Sequence, residues 1–272
     1  MIRRWVAGVV ALGLLGCNAA FLNSVNDTPE ATPNVTPTVS MLTEDGWDVV
    51  APGMAYRVFR VEPPYTQRAF DMPVVRIDPA SVEFRVHYEP GEWYTIAEWR
   101  DRLNEPLLIV NANFFTEMGR AVGLVVSVGQ THGQSFEGFG GMFQVTEDEA
   151  RVRSLVEEPY EGGDFLQAVQ GFPMFVEPGG RAANTGPGFD DLSRRTMIAQ
   201  DDEGRVLILT TPAGLLTLRQ AMNWLLAAPL NIDVAFGLDG GKSVGLFVQA
   251  RPEPLFYPSL DPIPVVVAVY PR

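Results

Sequence analysis

The chain has almost no cysteine, since Cys17 is the single one among 272 residues. An intrachain disulfide is therefore excluded, and a lipidated Cys17 would leave no thiol nucleophile. Lysine is equally rare, because Lys242 is the only one, and 20 Lys and Arg residues face 33 Asp and Glu residues. The formal charge of −13 and the lack of any run of arginines argue against nucleic acid as a partner, because a polyanion needs a basic surface.

The N-terminus has the pattern of an export signal. Two arginines precede an apolar run from Trp5 to Gly16, which is too short to be a permanent membrane span. The run ends at Leu14-Leu15-Gly16-Cys17, which resembles the bacterial lipobox, whose cysteine is lipidated. We therefore expect residues 1–16 to be a lipoprotein signal peptide and Cys17 to anchor an extracytoplasmic protein to a membrane. The alternative is a buried N-terminal helix that happens to contain this cysteine.

A tether and one folded domain are expected after the signal. Residues 18–40 are rich in Thr, Asn and Pro, and Pro29, Pro33 and Pro37 are evenly spaced. We assign residues 17–46 to the lipidated cysteine and its tether, and residues 47–272 to the domain. A chain with 46% hydrophobic and 19% charged residues is neither disordered nor fibrous, so this domain should have a core.

The domain shows many short strand signals and only two convincing helices. Val82–Tyr88 alternates apolar and polar residues, which predicts a strand with His87 on its exposed face. Two capping boxes predict helix starts, and their residues are Thr95 with Glu98 and Thr217 with Gln220. The pattern predicts an α+β domain, built on a mixed or antiparallel β-sheet with a few helices.

Three polar clusters interrupt the strand ends: Asn111–Phe115, Ser193–Thr196 and Leu238–Ser243. In the third, Asp239-Gly240-Gly241 is either an ordinary hairpin turn or a loop whose glycines let the backbone approach a ligand and offer N–H groups to an anion. The only lysine follows these glycines directly. No cluster of His, Asp or Glu has metal-ligand spacing, so we expect neither a metal nor another cofactor.

In this order, the clusters resemble those of the phosphodiester glycosidase family, from about Trp47 to the C-terminus. The family has a segment with Asn and Phe-Phe followed by a Gly-Leu strand, which correspond to Asn111–Phe115 and Gly123-Leu124. Its Arg-Thr pair corresponds to Arg195-Thr196. Its Asn-Leu-Asp-Gly-Gly-x-Ser signature corresponds to residues 237–243. Two positions depart from the pattern, because Gly237 stands where Asn is usual and Val244 where a hydroxyl residue is common.

The resemblance implies a hydrolase that removes a sugar from a phosphodiester at its anomeric carbon. A phosphate monoester leaves as a stable anion, so one carboxylate and an anion clamp can suffice. Asp239 is the expected nucleophile or base, with Glu117 as a weaker second carboxylate, while Arg195 grips phosphate oxygens and Asn111 orients the substrate. The other expected substrate-binding residues are Asn113, Thr196, Gly240, Gly241, Lys242, Ser243 and His132.

Simpler readings of the same residues stay open. Arg195 could be a solvated charge paired to Asp190 or Asp191, and His132 an ordinary loop imidazole. Asn111 and Asn113 could be turn residues, and Phe114 and Phe115 are expected in the core rather than under a sugar.

Two functions from different classes therefore compete. The first is an exported, lipid-anchored hydrolase of sugar-1-phosphodiester bonds in envelope glycopolymers. The second is a non-catalytic lipoprotein that binds carbohydrate or another envelope component on the same fold. An enzyme should hold Asp239 and Arg195 in one cleft, whereas a binding module should show an aromatic groove with the two residues apart.

Overall fold

Strands provide most of the regular structure in the computed structural model, which describes residues 45–184, 186 and 189–272. All of these residues belong to one compact unit. The predicted signal peptide, Cys17 and nearly all of the predicted tether lie outside the described residues.

The elements follow one another along the chain with only two α-helices between the strands. They are β1 (Asp48–Ala51), β2 (Met54–Val61), β3 (Phe70–Ile77), β4 (Val82–Tyr88), α1 (Ile96–Arg102), β5 (Leu108–Asn111), β6 (Phe114–Phe115), β7 (Ala121–Val122), β8 (Val125–Ser127), β9 (Gln130–His132), β10 (Gly141–Val145), β11 (Ala150–Ser154), β12 (Gln167–Gly171), β13 (Met174–Glu177), β14 (Arg181–Ala182), β15 (Thr196–Asp201), β16 (Val206–Thr210), α2 (Leu218–Ala227), β17 (Ile232–Gly237), β18 (Leu246–Val248), β19 (Leu255–Tyr257) and β20 (Val265–Pro271). A short 3₁₀ turn, Gly241–Ser243, follows β17.

The strands pair into three sheets and one hairpin. An eight-stranded sheet has the order β1-β2-β3-β16-β15-β17-β13-β14, and the five-stranded sheets have the orders β11-β10-β12-β8-β9 and β19-β18-β5-β20-β4. Strands β6 and β7 form the hairpin, and every pairing in the described part of the chain is antiparallel. The α+β prediction is therefore right only in part, since the domain is predominantly antiparallel β with two short helices.

Both helices begin where the capping boxes predict. The Thr95 backbone N–H donates to the Glu98 carboxylate at 2.7 Å, and the Glu98 N–H donates back to the Thr95 hydroxyl. Thr217 and Gln220 form the same reciprocal pair at the start of α2. Each helix turns its apolar side onto the outer face of a sheet, so α1 covers the β5–β20 sheet and α2 covers the eight-stranded sheet.

The main core lies between the sheets and is built from residues such as Phe84, Phe143, Ile198, Phe236 and Val267. Sheets covered on both faces need apolar residues at successive positions, which accounts for continuous runs such as Val265–Tyr270.

The prediction that His87 lies on an exposed strand face is wrong. Helix α1 covers that face, so His87 is half-buried, with its Nε2 3.0 Å from the Tyr270 hydroxyl and its ring centroid 6.3 Å from that of Trp99 in α1. Burial lowers the pKa of this imidazole. The alternating pattern showed which residues share a face of β4, but it could not show that a helix covers the polar one.

Candidate functional site

Two glycines allow the ends of β12 and β17 to touch. A Cβ at Gly171 would lie 2.1 Å from the Gly237 carbonyl oxygen, and a Cβ at Gly237 would lie 2.9 Å from the carbonyl oxygen of Phe172. The Gly237 N–H donates to the Pro173 carbonyl at 2.8 Å. Because side chains are missing at both positions, the Phe172-Pro173 segment lies directly against the start of the Asp239 loop.

Main-chain hydrogen bonds join all three polar clusters at the loop Leu238–Ser243, called here the Asp239 loop. Leu238 N–H donates to Thr196, Asp239 N–H to Ala112 and Gly241 N–H to Arg194, each at 2.9 Å. Residues more than 120 positions apart along the chain, such as Ala112 and Asp239, thus meet at neighbouring strand ends. The loop itself is fixed on two sides by strands that belong to different sheets.

The Asp239 carboxylate is mostly shielded from water, and it forms no ion pair with any residue that the structure describes. Its Oδ1 accepts the Gly240 N–H at 2.8 Å, and the Ser243 hydroxyl also donates to it. Burial raises its pKa to about 6, against the lowering effect of these two hydrogen bonds. A carboxyl group with this pKa changes its protonation state close to neutral pH, which suits a group that acts on a reacting atom.

Asn111 supports the loop from below. It is fully buried at the end of β5, where its Nδ2 donates to the Asp239 carbonyl at 2.7 Å. Its Oδ1 accepts the Thr196 hydroxyl at 2.6 Å and the Gly245 N–H at 3.3 Å. The side chains of Asn111 and Thr196, both predicted to contact substrate, therefore bind protein groups here, and a direct role toward substrate stays a prediction.

The two glycines after Asp239 do not form the open anion nest that the sequence suggested. The Gly240 N–H is taken by the Asp239 carboxylate, and the Gly241 N–H by the Arg194 carbonyl. The two glycines are needed for packing and backbone conformation instead. A Cβ at Gly240 would lie 2.8 Å from the Arg194 carbonyl oxygen, and Gly241 has a left-handed φ of +62°.

Arg195 extends along the 191–216 segment. Its Nε donates to the Leu216 carbonyl at 3.0 Å and its Nη2 to the Asp191 carbonyl, and burial lowers the pKa of the guanidinium. Of the two carboxylates named in the simpler reading, Asp190 pairs with Arg219 at 3.1 Å, whereas Asp191 accepts a hydrogen bond from Arg195 at its main-chain carbonyl and its carboxylate acts against burial by raising the pKa of Arg195. In the part of the chain that the structure describes, Nη1 of Arg195 makes no hydrogen bond.

Arg194 is the site residue that sequence reasoning did not single out. Its Nε donates to the Gly241 carbonyl at 2.7 Å, while its Nη2 is buried with no partner among the described residues. Together with the Gly241 N–H bond to the Arg194 carbonyl, this makes a two-way connection between β15 and the Asp239 loop. In the sequence, Arg194 and Arg195 differ only in their order, so no signal showed which of the two binds the Asp239 loop.

Lys242 and Ser243 belong to the loop but face different ways. Ser243 is buried and donates to Asp239, whereas Lys242 is exposed and lies 3.8 Å from the Asp261 carboxylate. The structure thus places only the serine of this pair beside the carboxylate.

Asn113, Glu117 and His132 surround the β6–β7 hairpin rather than the Asp239 carboxylate. Asn113 is buried and donates to the Leu124 carbonyl at 3.1 Å, with its Oδ1 unpartnered in the described part of the chain. Glu117 is exposed in the hairpin turn, and His132 packs its ring edge-to-face on Tyr88 at 5.0 Å. The structure brings none of the three into hydrogen-bond contact with the loop.

An apolar cleft of about 210 Å³ lies against the Asp239 loop. This space, called here the Phe cleft, is lined by Phe114, Phe172, Pro173, Phe175, Phe189, Arg195, Thr196, Leu218, Gly237, Leu238 and Gly240. Phe114 was expected in the core, but it is only half-buried and stacks on Phe172 at 4.4 Å. Phe115, its neighbour, points elsewhere and packs against Trp93 at 5.4 Å.

Among residues 45–184, 186 and 189–272, no three His, Cys, Asp or Glu side chains are grouped so that they could hold a metal ion. Within the same ranges, no helix has the length and apolarity that crossing a membrane requires.

Fold and site together define an antiparallel β protein in which the loop after β17 holds a partly buried carboxylate, Asp239, and neighbouring residues of that loop line an apolar cleft. A model of the phosphodiester glycosidase family matches residues 104–270, and the chain belongs to that family. No curated protein sequence matches it.

Solved structures show the same fold. The catalytic domain of zebrafish N-acetylglucosamine-1-phosphodiester alpha-N-acetylglucosaminidase, auto-inhibited by its pro-peptide, is similar with a TM-score of 0.64 and 18% identity, over 86% of this chain and 87% of that one. A hypothetical protein from Synechocystis has a TM-score of 0.59 and 14% identity, over 83% of this chain and 63% of that one. A protein of Burkholderia pseudomallei K96243 described as exported has a TM-score of 0.53 and 11% identity, over 75% and 74%.

Proposed function

We propose that this member of the phosphodiester glycosidase family is an exported, lipid-anchored hydrolase that cleaves sugar-1-phosphodiester bonds of envelope glycans. The observation that carries the proposal is the Asp239 carboxylate, whose pKa partial burial raises to about 6 and whose loop is hydrogen-bonded to the end of β5 and the start of β15. The family and the zebrafish relative, whose name gives a phosphodiester-linked sugar as substrate, support this class of reaction.

The chemistry assigned to Asp239 acts at the anomeric carbon. As a nucleophile it would form a glycosyl ester that water then hydrolyses, and as a base it would take a proton from the attacking water. In both cases the bond between the anomeric carbon and the phosphate oxygen breaks. The products are a free sugar and a phosphate monoester, which needs no proton to leave.

Arg195 is the candidate for holding the phosphate. It lines the Phe cleft together with Gly240, and two of its guanidinium nitrogens are fixed by the Leu216 and Asp191 carbonyls. A guanidinium held in this way keeps its orientation, so its Nη1 can meet a phosphate oxygen at little entropic cost.

The test is a release assay on a panel of sugar-1-phosphodiesters with the purified protein. Free sugar and phosphate monoester should appear in equal amounts, and Asp239→Asn should abolish both. If the parent cleaves a substrate and the variant cleaves it equally fast, another group performs the reaction.

A second function is favoured by one specific feature. Gly237 replaces the family's usual Asn beside a cleft walled by phenylalanines, which suits a binding protein that has lost the chemistry. Binding of envelope glycans by a parent that cleaves no member of the panel would establish this alternative.

The membrane anchor is part of the proposal and depends on the sequence around Cys17. Cys17→Ser should block lipidation and move the protein from the membrane to the soluble fraction of the cell. Unchanged processing and unchanged membrane association of this variant would overturn the anchor.

A further inference from the structure

The Phe cleft offers a ligand few polar side chains, since Arg195 and Thr196 are the only ones among its lining residues. The N–H groups of Gly237, Leu238 and Gly240 donate to Pro173, Thr196 and Asp239, respectively. The Thr196 hydroxyl donates to Asn111. Arg195 is the one lining side chain with a donor to spare, since its Nη1 makes no hydrogen bond to any described residue. The cleft is therefore an apolar space with a single cationic residue.

The aromatic wall of the cleft is fixed before any ligand arrives. Phe114 and Phe172 stack with their ring planes 22° apart, and Phe172 meets the rings of Phe136 and Phe139 edge-on at 5.4 and 5.9 Å. Phe139 is 47% exposed, so the apolar surface continues from the wall toward solvent. An apolar group longer than the cleft could follow this surface outward.

A sugar ring is a poor occupant of such a space. Each hydroxyl that enters without a partner loses its hydrogen bonds to water, which costs more than contact with the phenyl rings returns. An aryl or alkyl group meets no such penalty and gains from burial. A phosphate on that group would complement Arg195, which has no carboxylate within 4 Å in the described part of the chain.

We propose that the Phe cleft binds an apolar alcohol that is esterified to the substrate's phosphate, the part of the substrate that leaves with the phosphate. The inference rests on the proposed function and narrows it. The bond that is cleaved would join a sugar to the phosphate of a lipid-like or aryl alcohol, as at the lipid-linked end of a glycan, rather than to a second sugar.

The first experiment measures product binding, so it does not depend on catalysis. Hexyl phosphate and glycerol 1-phosphate carry the same charged group on an apolar and on a polar alcohol. Calorimetry with the full chain should show hexyl phosphate binding at least about tenfold more tightly, since even one methylene in a fitted pocket is worth that factor. Equal affinities would overturn the inference.

Two adjacent phenylalanines provide a matched control. Phe114→Leu removes a wall of the cleft, and Phe115→Leu removes a ring of the same size that packs on Trp93. The preference for hexyl phosphate should shrink in the first variant and persist in the second. Leu218→Gln, which places an amide in the cleft and leaves both stacked rings in the sequence, gives an independent route if Phe114→Leu does not fold. A preference that survives both cleft variants would contradict the proposal.

The second experiment separates the inference from the proposed function. On whichever sugar the release assay identifies, kcat/KM should be higher for the hexyl than for the glycerol phosphodiester. If both phosphodiesters are cleaved equally fast, the proposed hydrolase activity is supported and the proposed preference for an apolar alcohol is wrong. If hexyl phosphate binds with the expected preference but nothing is cleaved, the cleft stands and the hydrolase fails.

Discussion

Replacing Asp239 by Asn should make the protein more stable and inactive at the same time. The carboxyl pKa is about 6 in the folded protein against an ordinary value of 3.8, so the folded chain holds the proton more tightly than the unfolded chain. This difference in pKa means that the ionised Asp239 lowers the free energy of unfolding by at most about 3 kcal/mol at neutral pH. Asn carries no charge and can still accept the Gly240 N–H, so most of this cost should disappear.

The sign of the effect gives the pH dependence. A raised carboxyl pKa stabilises the fold fully below about pH 4, and that stabilisation is lost as the pH rises through about 6. We therefore expect Asp239→Asn to raise the free energy of unfolding by about 1–2 kcal/mol at pH 7 and by almost nothing at pH 4. Thermal unfolding should show this as an increase in Tm of ~2–8 °C at pH 7.

Turnover by the same variant should fall by at least about a thousandfold, because the group that acts on the anomeric carbon is gone. Asp261→Asn is the matched control, since the Asp261 side chain is 51% exposed and its contact with Lys242 is 3.8 Å long. It should leave both stability and turnover nearly unchanged. A less stable Asp239→Asn at pH 7 would refute the desolvation argument, and wild-type turnover would refute the catalytic one.

Four further outcomes follow from the same contacts. If Asp239 acts as base or nucleophile, kcat/KM should rise through about pH 6 and then level off, whereas a fall above that pH in the pH–rate profile would make it an acid. Asn111→Ala should lower the free energy of unfolding in urea by about 2–4 kcal/mol, because it leaves the Asp239 carbonyl and two buried donors unpaired. Gly237→Asn should cost about 1–3 kcal/mol in the same assay without raising turnover, since its Cβ meets the Phe172 carbonyl. Arg195→Lys should lower Tm as well as raise KM, because one ammonium cannot reach both the Leu216 and the Asp191 carbonyls. An unchanged Tm would mean that Arg195 acts on the phosphate but does not stabilise the fold.

Local signals in the sequence were sufficient for the helix starts and for the meeting of the three clusters. Each capping box needs only residues three positions apart, and both occur as predicted. The convergence at the Asp239 loop was also within reach, because each cluster ends or begins an apolar strand and strand ends of stacked sheets lie at a common edge.

The sequence could not predict the direction in which a side chain points or the tertiary contacts that it makes. Nothing in Arg194-Arg195 says which guanidinium turns to the Gly241 carbonyl and which to the Leu216 carbonyl, since strand neighbours exchange roles with a shift of one residue. The stack of Phe114 on Phe172 joins residues of different strands that only the close approach at Gly171 and Gly237 brings together. For the same reason the sequence left a mixed and an antiparallel sheet equally open, because a single strand carries no signal for the direction of its partners.

The charge on Asp239 itself argues for chemistry over simple binding. A residue that only ended β17 would need an oxygen to accept the Gly240 N–H, and Asn supplies that oxygen without a desolvated charge. The loop instead holds a carboxylate away from water, with only the Ser243 hydroxyl and one N–H to compensate. Such a residue costs stability at neutral pH, which is the usual trade-off at a catalytic position. A binding module with an apolar cleft gains nothing from that cost, so measured stabilisation by Asn with unchanged ligand binding is the result that most directly assigns Asp239 to catalysis.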